Sequence, residues 1–234
     1  MIGPVGQMDR NTKYYSGKAP RRLHRDTFGP LPHVTIQMPV YKEGLRAVIE
    51  PTVRSIKQAM STYELQGGSA NIFINDDGMQ LISPEEAKLR QDYYDEQQIG
   101  WVARPKHNPK PADGETMFLR RGKFKKASNM NYAMRLSVQV EEALAAVPRH
   151  AQWTQHDENN AYRTCLQRIL ADREGEAWAD GNIRMGDYIL IIDSDTRVPN
   201  DCFLEAVSEM EQSPQVAILP VSYTHLTLPT ICSV

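Results

Sequence analysis

Three apolar runs in this chain each stop at residues able to do chemistry, and each is followed by a helical pattern. That recurrence constrains the fold more than any other feature. Val34, Ile36, Met38 and Val40 alternate as a strand should, and the run ends at Pro39 to Glu43, where the proline removes a ladder donor. A second short run, 71–75, passes directly into Asp76-Asp77-Gly78, a turn sequence. The strongest run, 188–192, is continuous and β-branched, as a strand covered on both faces should be, and it ends at Asp193-Ser194-Asp195. Between these runs, Leu45, Val48, Ile49, Val53, Ile56 and Met60 recur at three- and four-residue steps, with Pro51 expected in the first turn of the main segment or at a kink. Ser83-Pro84-Glu85-Glu86 is a capping box that predicts a helix to about residue 98. Strands are also expected at 99–104 and 216–219, and helices from near Ser128 and after Asn200 or Asp201. Strand and helix in repeated order predict an α/β fold with a mainly parallel central sheet, helices on both faces, and ligand sites at the carboxyl ends of the strands.

Composition narrows the class. The chain has 234 residues, 41% hydrophobic and 24% charged, with a formal net charge of −2, which fits a soluble globular protein and disfavours nucleic acid as a partner. No apolar run approaches the roughly 20 residues of a membrane-spanning helix. Residues 1–32 are basic and aperiodic, without the apolar core of a secretory signal, and are expected to form a flexible arm. Cys165, Cys202 and Cys232 are odd in number and widely spaced, which fits reduced thiols. Residues 148–180 are expected to be an insertion carrying a helix around 162–171.

The acidic strand ends are the first candidates for a site. Carboxylates at i and i+2 of an extended segment share a side, so Asp193 and Asp195 could both face a cation; alternatively they are a solvated strand end. Oxygen ligands select Mg²⁺ or Mn²⁺, and so few protein oxygens would leave positions for phosphate. The aperiodic stretch 105–127 is a long loop, and from Arg104 to Lys126 there are eight Lys or Arg against Asp113 and Glu115. A cation and a basic loop at one sheet edge suit a diphosphate leaving group. Arg104, at a strand end, is the best placed for it. Lys126, Asn129 and Asn131 lie where the loop enters a helix, which favours an anion or simple capping. Asp76 and Asp77 could accept from a uracil-like base or ribose, or merely form the turn. Tyr41 could stack on a base or pack, and Glu43 could cap the first helix.

Taken together, Met38-Pro39-Val40-Tyr41-Lys42-Glu43, Asn75-Asp76-Asp77-Gly78, the run Lys126-Ala127-Ser128-Asn129-Met130-Asn131 and Asp193-Ser194-Asp195 resemble, in order and spacing, the motifs of the family 2 glycosyltransferases. The resemblance covers about residues 33–219 and is nearest to fungal, membrane-associated members. It implies a GT-A type fold and an enzyme that transfers a glycosyl unit from a nucleotide-diphosphate sugar, a UDP-sugar first, with inversion at the anomeric carbon. It also implies that Glu43 and Asp76 or Asp77 hold the nucleoside, that Pro39 and Tyr41 belong to the nucleotide-sugar site, that Arg104 and Lys126 serve the diphosphate region, and that Asp193 and Asp195 hold Mn²⁺ or Mg²⁺, with Asp193 also on the sugar nucleotide. The acceptor, a glycan or lipid, is not specified. A parent protein of this kind is expected to be membrane-associated through other segments, with its catalytic domain facing the cytoplasm and this chain soluble.

Two departures stand out. Lys42 replaces the family's usual Asn, and neither the acceptor-side carboxylate nor a Q-x-x-R-W segment follows Leu219. The expectation is therefore a C-terminally truncated donor-binding half, weakly active or inactive, with 220–234 a non-native tail. The rival readings are a non-catalytic nucleotide-sugar-binding module, a metal-dependent nucleotidyltransferase, which would want a glycine-rich phosphate loop where Lys42-Glu43-Gly44 stands, and an aspartyl phosphatase, which would place its acidic pair after the first strand.

Overall fold

The computed structural model describes residues 29–114, 116–120, 125–173, 176–213 and 217–219. The expected arm, apart from 29–32, and the expected tail lie outside the described residues. Five strands, β1 (His33–Val40), β2 (Ser69–Asp76), β3 (Gly100–Ala103), β4 (Trp178–Asp180) and β5 (Tyr188–Ile191), form one sheet in the order β4-β3-β2-β1-β5. β2 and β3 run parallel, with Ile74 opposite Trp101, and β4 joins β3 antiparallel, with Val102 opposite Ala179. The helices are α1 (Glu50–Leu65), α2 (Pro84–Glu96), α3 (Lys125–Ala145), α4 (Gln155–Ala171) and α5 (Cys202–Gln212). This is the expected α/β architecture: a mostly parallel sheet flanked by helices.

The chain divides into two compact units. Among the described residues, one runs over 29–36, 44–71 and 186–219, the other over 37–43 and 72–185. In the first unit Ile36, Ile49, Val53, Ile56 and Phe203 are essentially inaccessible, and Tyr63 meets Phe203 edge-on with ring centroids 6.1 Å apart. Each such aliphatic side chain contributes about 1.5–3 kcal/mol by leaving water. α1 carries Pro51 in its first turn, as expected, and is preceded by a π-helical segment, Leu45–Ile49. In the second unit Phe73 and Val102 of the sheet pack on Leu136, Val140 and Leu144 of α3 and on Tyr162 and Leu166 of α4.

Several expectations are corrected. Residues 217–219 are not strand, and Val216 lies outside the described residues. The fifth strand is β4, within the stretch expected to be an insertion. The helix there starts at Gln155 rather than near 162, because Thr154 and Asp157 form a reciprocal capping box. α3 opens at Lys125, three residues early, and Asp201 caps α5 without a side-chain hydrogen bond. The loop before α3 is also less open than expected: Asn108 and Phe118 exchange two backbone hydrogen bonds of 2.8 and 3.1 Å. No helix among the described residues is long and apolar enough to cross a membrane.

The α4 cap yields a pH prediction. Hydrogen bonds from the Arg149 guanidinium (2.8 and 3.0 Å) and the Trp153 indole (2.7 Å) hold the Glu158 carboxyl down from 4.5 to about 2. A carboxylate depressed in the folded state stabilises above its unfolded value, and that contribution fades as pH falls from 4.5 through about 2. Amide exchange in the first turn of α4 should accelerate across this window in the wild type, and Glu158→Gln should flatten the response.

Candidate functional site

In the second unit the end of β1, the turn after β2 and the first turn of α3 enclose a hollow of about 190 Å³. Pro39, Val40, Tyr41 and Glu43 line it from the first, Asp77 from the second, and Lys125, Lys126 and Asn129 from the third. Five of the residues expected to bind the sugar nucleotide therefore share one cavity: Pro39, Tyr41, Glu43, Asp77 and Lys126. Tyr41 is 44% exposed, so its ring has a free face, and the Lys42 ammonium lies 5.7 Å from its centroid. The Glu43 carboxylate accepts from the Tyr41 N–H at 2.6 Å; it closes a turn at the strand end and does not cap the helix that follows.

Asp76 and Arg104 do not line the hollow; they build the wall behind it. Asp76 is fully buried, receives the Arg90 guanidinium on both oxygens (2.8 and 2.9 Å), and also accepts from the Tyr94 hydroxyl (2.9 Å) and the Gly78 N–H (3.1 Å). Burial pushes this carboxyl up, while Arg90, Tyr94 and the Gly78 N–H pull it back toward the charged form. Arg90 also donates to the Tyr41 and Glu43 carbonyls (3.1 and 2.7 Å), so it ties the end of β1 to α2. Arg104, 2% exposed, clamps Asp77 with two bonds (2.6 and 2.9 Å) and donates two more to the Ser128 hydroxyl and the Lys125 carbonyl. It thereby fixes the first turn of α3 rather than presenting charge to the cavity. Arg120 completes the clamp. It sits 3.2 Å from the Asp77 carboxylate and donates to the carbonyls of Asp77, Arg104 and Pro105.

Asn129 was expected to bind an anion or cap the helix. It is buried instead, with its amide donating to the Asn75 carbonyl at 2.9 Å, while its own Oδ1 has no partner. Asn131, the other candidate there, is exposed. Sequence reasoning missed Arg90 altogether. Its only signal is a basic residue on an otherwise polar helix, and nothing in that pattern says that it is buried.

Asp193 and Asp195 belong to the first unit. Ile192, Ser194, Thr196 and Val198 are buried and Asp193, Asp195 and Arg197 exposed. The segment is not fully extended: the Thr196 N–H returns to the Asp193 carbonyl at 3.0 Å, and Thr52 of α1 donates to the Ser194 carbonyl at 2.6 Å. This anchored turn presents two hard oxygen donors, a set that fits Mg²⁺ or Mn²⁺. Among the described residues no group of three or more His, Cys, Asp or Glu side chains is clustered, so a cation here would depend on other oxygens as well.

An α/β sheet of this kind, with its strand ends carrying these turns, is of the GT-A type. Residues 188–227, which include β5, the Asp193-Ser194-Asp195 turn and α5, match the family model described as Glycosyl transferase family group 2. The match spans 40 of the 234 residues and supports a likeness to glycosyltransferase family 2 over that segment. No curated protein matches the chain.

Proposed function

We propose that this chain binds a nucleotide-diphosphate sugar, a UDP-sugar first among them, and that the protein transfers the glycosyl unit to an acceptor hydroxyl with inversion. The observation that carries the reading is this hollow of the second unit, where an exposed aromatic face, two fixed carboxylates and two lysines meet. Tyr41 offers its ring to a base, and Asp77, held rigid by two arginines, accepts from base or ribose. Lys125 and Lys126 bring positive charge to the phosphates at the first turn of a helix, where peptide N–H groups also favour anions. Asp76 and Arg104 act as positioning residues behind them. Asp193 and Asp195 would hold the divalent cation. When bound, such an ion neutralises charge that develops on a departing diphosphate. A single in-line displacement by the acceptor oxygen, opposite the leaving diphosphate, inverts the anomeric centre.

Calorimetry of UDP with and without Mn²⁺ tests this. The wild type should bind UDP with Mn²⁺-enhanced affinity, Asp195→Ala should lose that enhancement, and Lys126→Ala should weaken binding about tenfold or more, as loss of a charged contact of about 1.5–3 kcal/mol requires. Binding indifferent to metal in the wild type would sink the metal assignment, and binding indifferent to Lys126→Ala would sink the nucleotide site.

A further inference from the structure

In the first unit the turn that carries Asp193 and Asp195 is held by α1 through two hydroxyl groups. Thr52 and Ser55 stand three residues apart, on one face of that helix. Thr52 is fully buried, and its hydroxyl has one proton for two carbonyls: Val48 at 3.0 Å on the preceding helical turn and Ser194 at 2.6 Å on the acidic turn. Distance decides for Ser194. The same oxygen accepts from the Arg197 guanidinium, so it is engaged on both sides. Ser55 makes a reciprocal pair with Val198: its hydroxyl accepts from the Val198 N–H at 2.8 Å and donates to the Val198 carbonyl at 3.0 Å.

These bonds fix peptide planes. A peptide group is planar, so a hydrogen bond to its carbonyl or from its N–H orients the whole unit. The Ser194 carbonyl belongs to the plane before Asp195, and the Thr196 N–H, bonded to the Asp193 carbonyl at 3.0 Å, belongs to the plane after it. With both planes held, φ and ψ of Asp195 are set, and its side chain starts from a fixed Cα–Cβ bond. The plane after Asp193 is held by the same Thr196 bond, and Ile192 and Val198, both buried, pin the two ends of the segment.

A hydroxyl within a helix can serve itself alone by returning to the carbonyl four residues back. Thr52 instead has its shorter bond to the turn, and Ser55 makes both of these bonds to Val198. Carboxylates that share a cation repel each other before it arrives, so a backbone that holds them in place beforehand lowers the cost of binding it. We propose that Thr52 and Ser55 are positioning residues for the divalent cation, acting through the backbone of 193–198 and not as ligands. This rests on the metal reading above.

Calorimetric titration of Mn²⁺ into the full chain in the presence of UDP, with thermal unfolding alongside, tests it. Thr52→Val, which keeps the shape and removes the hydroxyl, and Ser55→Ala should each weaken the apparent Mn²⁺ affinity about tenfold or more, the usual effect of removing a group that orients a metal ligand. Their UDP affinity without metal should stay at the wild-type value. Thr52→Ser should keep the Mn²⁺ affinity, because it keeps the hydroxyl. Ile56→Val, a fully buried apolar change on the same helix, should lower the thermal midpoint and leave Mn²⁺ binding intact. A role in stability alone would give that second pattern in Thr52→Val and Ser55→Ala too, and such a result overturns the proposal. So does loss of metal-free UDP binding in either variant, which would mark general damage. Asp195→Ala separates this inference from the reading beneath it. Mn²⁺ binding lost there but kept in both hydroxyl variants refutes the positioning role alone; a wild type that does not respond to Mn²⁺ refutes the metal assignment and the positioning role with it.

Discussion

Arg90→Ala lowers the unfolding free energy by about 3–5 kcal/mol, the range for breaking a buried ion pair from one side. Both partners are inside the second unit, Arg90 at 4% exposure and Asp76 at 0%, so removal of the guanidinium strands a carboxylate with only the Tyr94 hydroxyl and the Gly78 N–H for company. The Tyr41 and Glu43 carbonyls lose their donors in the same step. Two further results follow. Asp76→Asn in the Arg90→Ala background removes the stranded charge and restores part of the loss, so the double change costs less than the sum of the single changes by about 0.5–3 kcal/mol. The defect should also depend on pH. Burial already pushes the Asp76 carboxyl up, and without Arg90 nothing comparable opposes it. The folded variant then binds a proton more tightly than its unfolded chain, which stabilises it below the ordinary carboxylate range and ceases to do so as pH rises through the folded-state value. Urea unfolding at acidic and neutral pH measures all three; an Arg90→Ala chain within about 1 kcal/mol of wild type at neutral pH, well short of the buried-pair range, would show that the pair is not a strut.

The same pair shows where sequence reasoning stops. The turn at Asp76-Asp77-Gly78 was legible because its chemistry is local: an apolar strand, two carboxylates and a glycine. Which aspartate faces the cavity was not, since that choice is made by Arg90, 14 residues on, and by Arg104, 27 residues on. Arg104 misled for a related reason. Its position at a strand end was read correctly, but a buried arginine with its donors engaged looks, in one dimension, like one offered to a phosphate. Local signals served where they were complete, as at Ser83 to Glu86. The equivalent box at Thr154 to Asp157, with Asp in place of Glu, went unread, and its helix was expected seven residues late. The strand β4 has three residues, too few for alternation to register, and exists through pairing with β3. The apolar run 216–219 carried a stronger strand signal, yet 217–219 are not strand, which is the ambiguity of short apolar runs when no partner is known. Asp193 and Asp195 are both exposed, but the Thr196 N–H closes a turn on the Asp193 carbonyl where an extended segment was expected, a bend that period-two reasoning does not register.

Gly78→Ala should abolish measurable UDP binding and destabilise the chain by about 1–3 kcal/mol or more. The reason is space rather than backbone conformation. Gly78 has φ −95°, which any residue can adopt, but a Cβ there would sit 1.5 Å from the Tyr41 carbonyl oxygen and 2.3 Å from its carbon. Neither side can give way cheaply. The Tyr41 carbonyl is held by Arg90 at 3.1 Å, and the neighbouring Asp77 N–H is bonded to the Val40 carbonyl at 2.8 Å. A methyl group must therefore separate the turn that carries Asp77 from the strand end that carries Tyr41 and Glu43, and these are opposite walls of the proposed nucleotide cavity. Gly44→Ala is the matched control: its Cβ would meet only the Ala47 methyl, at an ordinary 3.8 Å, so binding and stability should stay near wild type. Calorimetry and urea unfolding on the two variants decide the matter. A Gly78→Ala chain that bound UDP as tightly as the Gly44→Ala control would mean that the close approach of turn and strand is not what shapes the site.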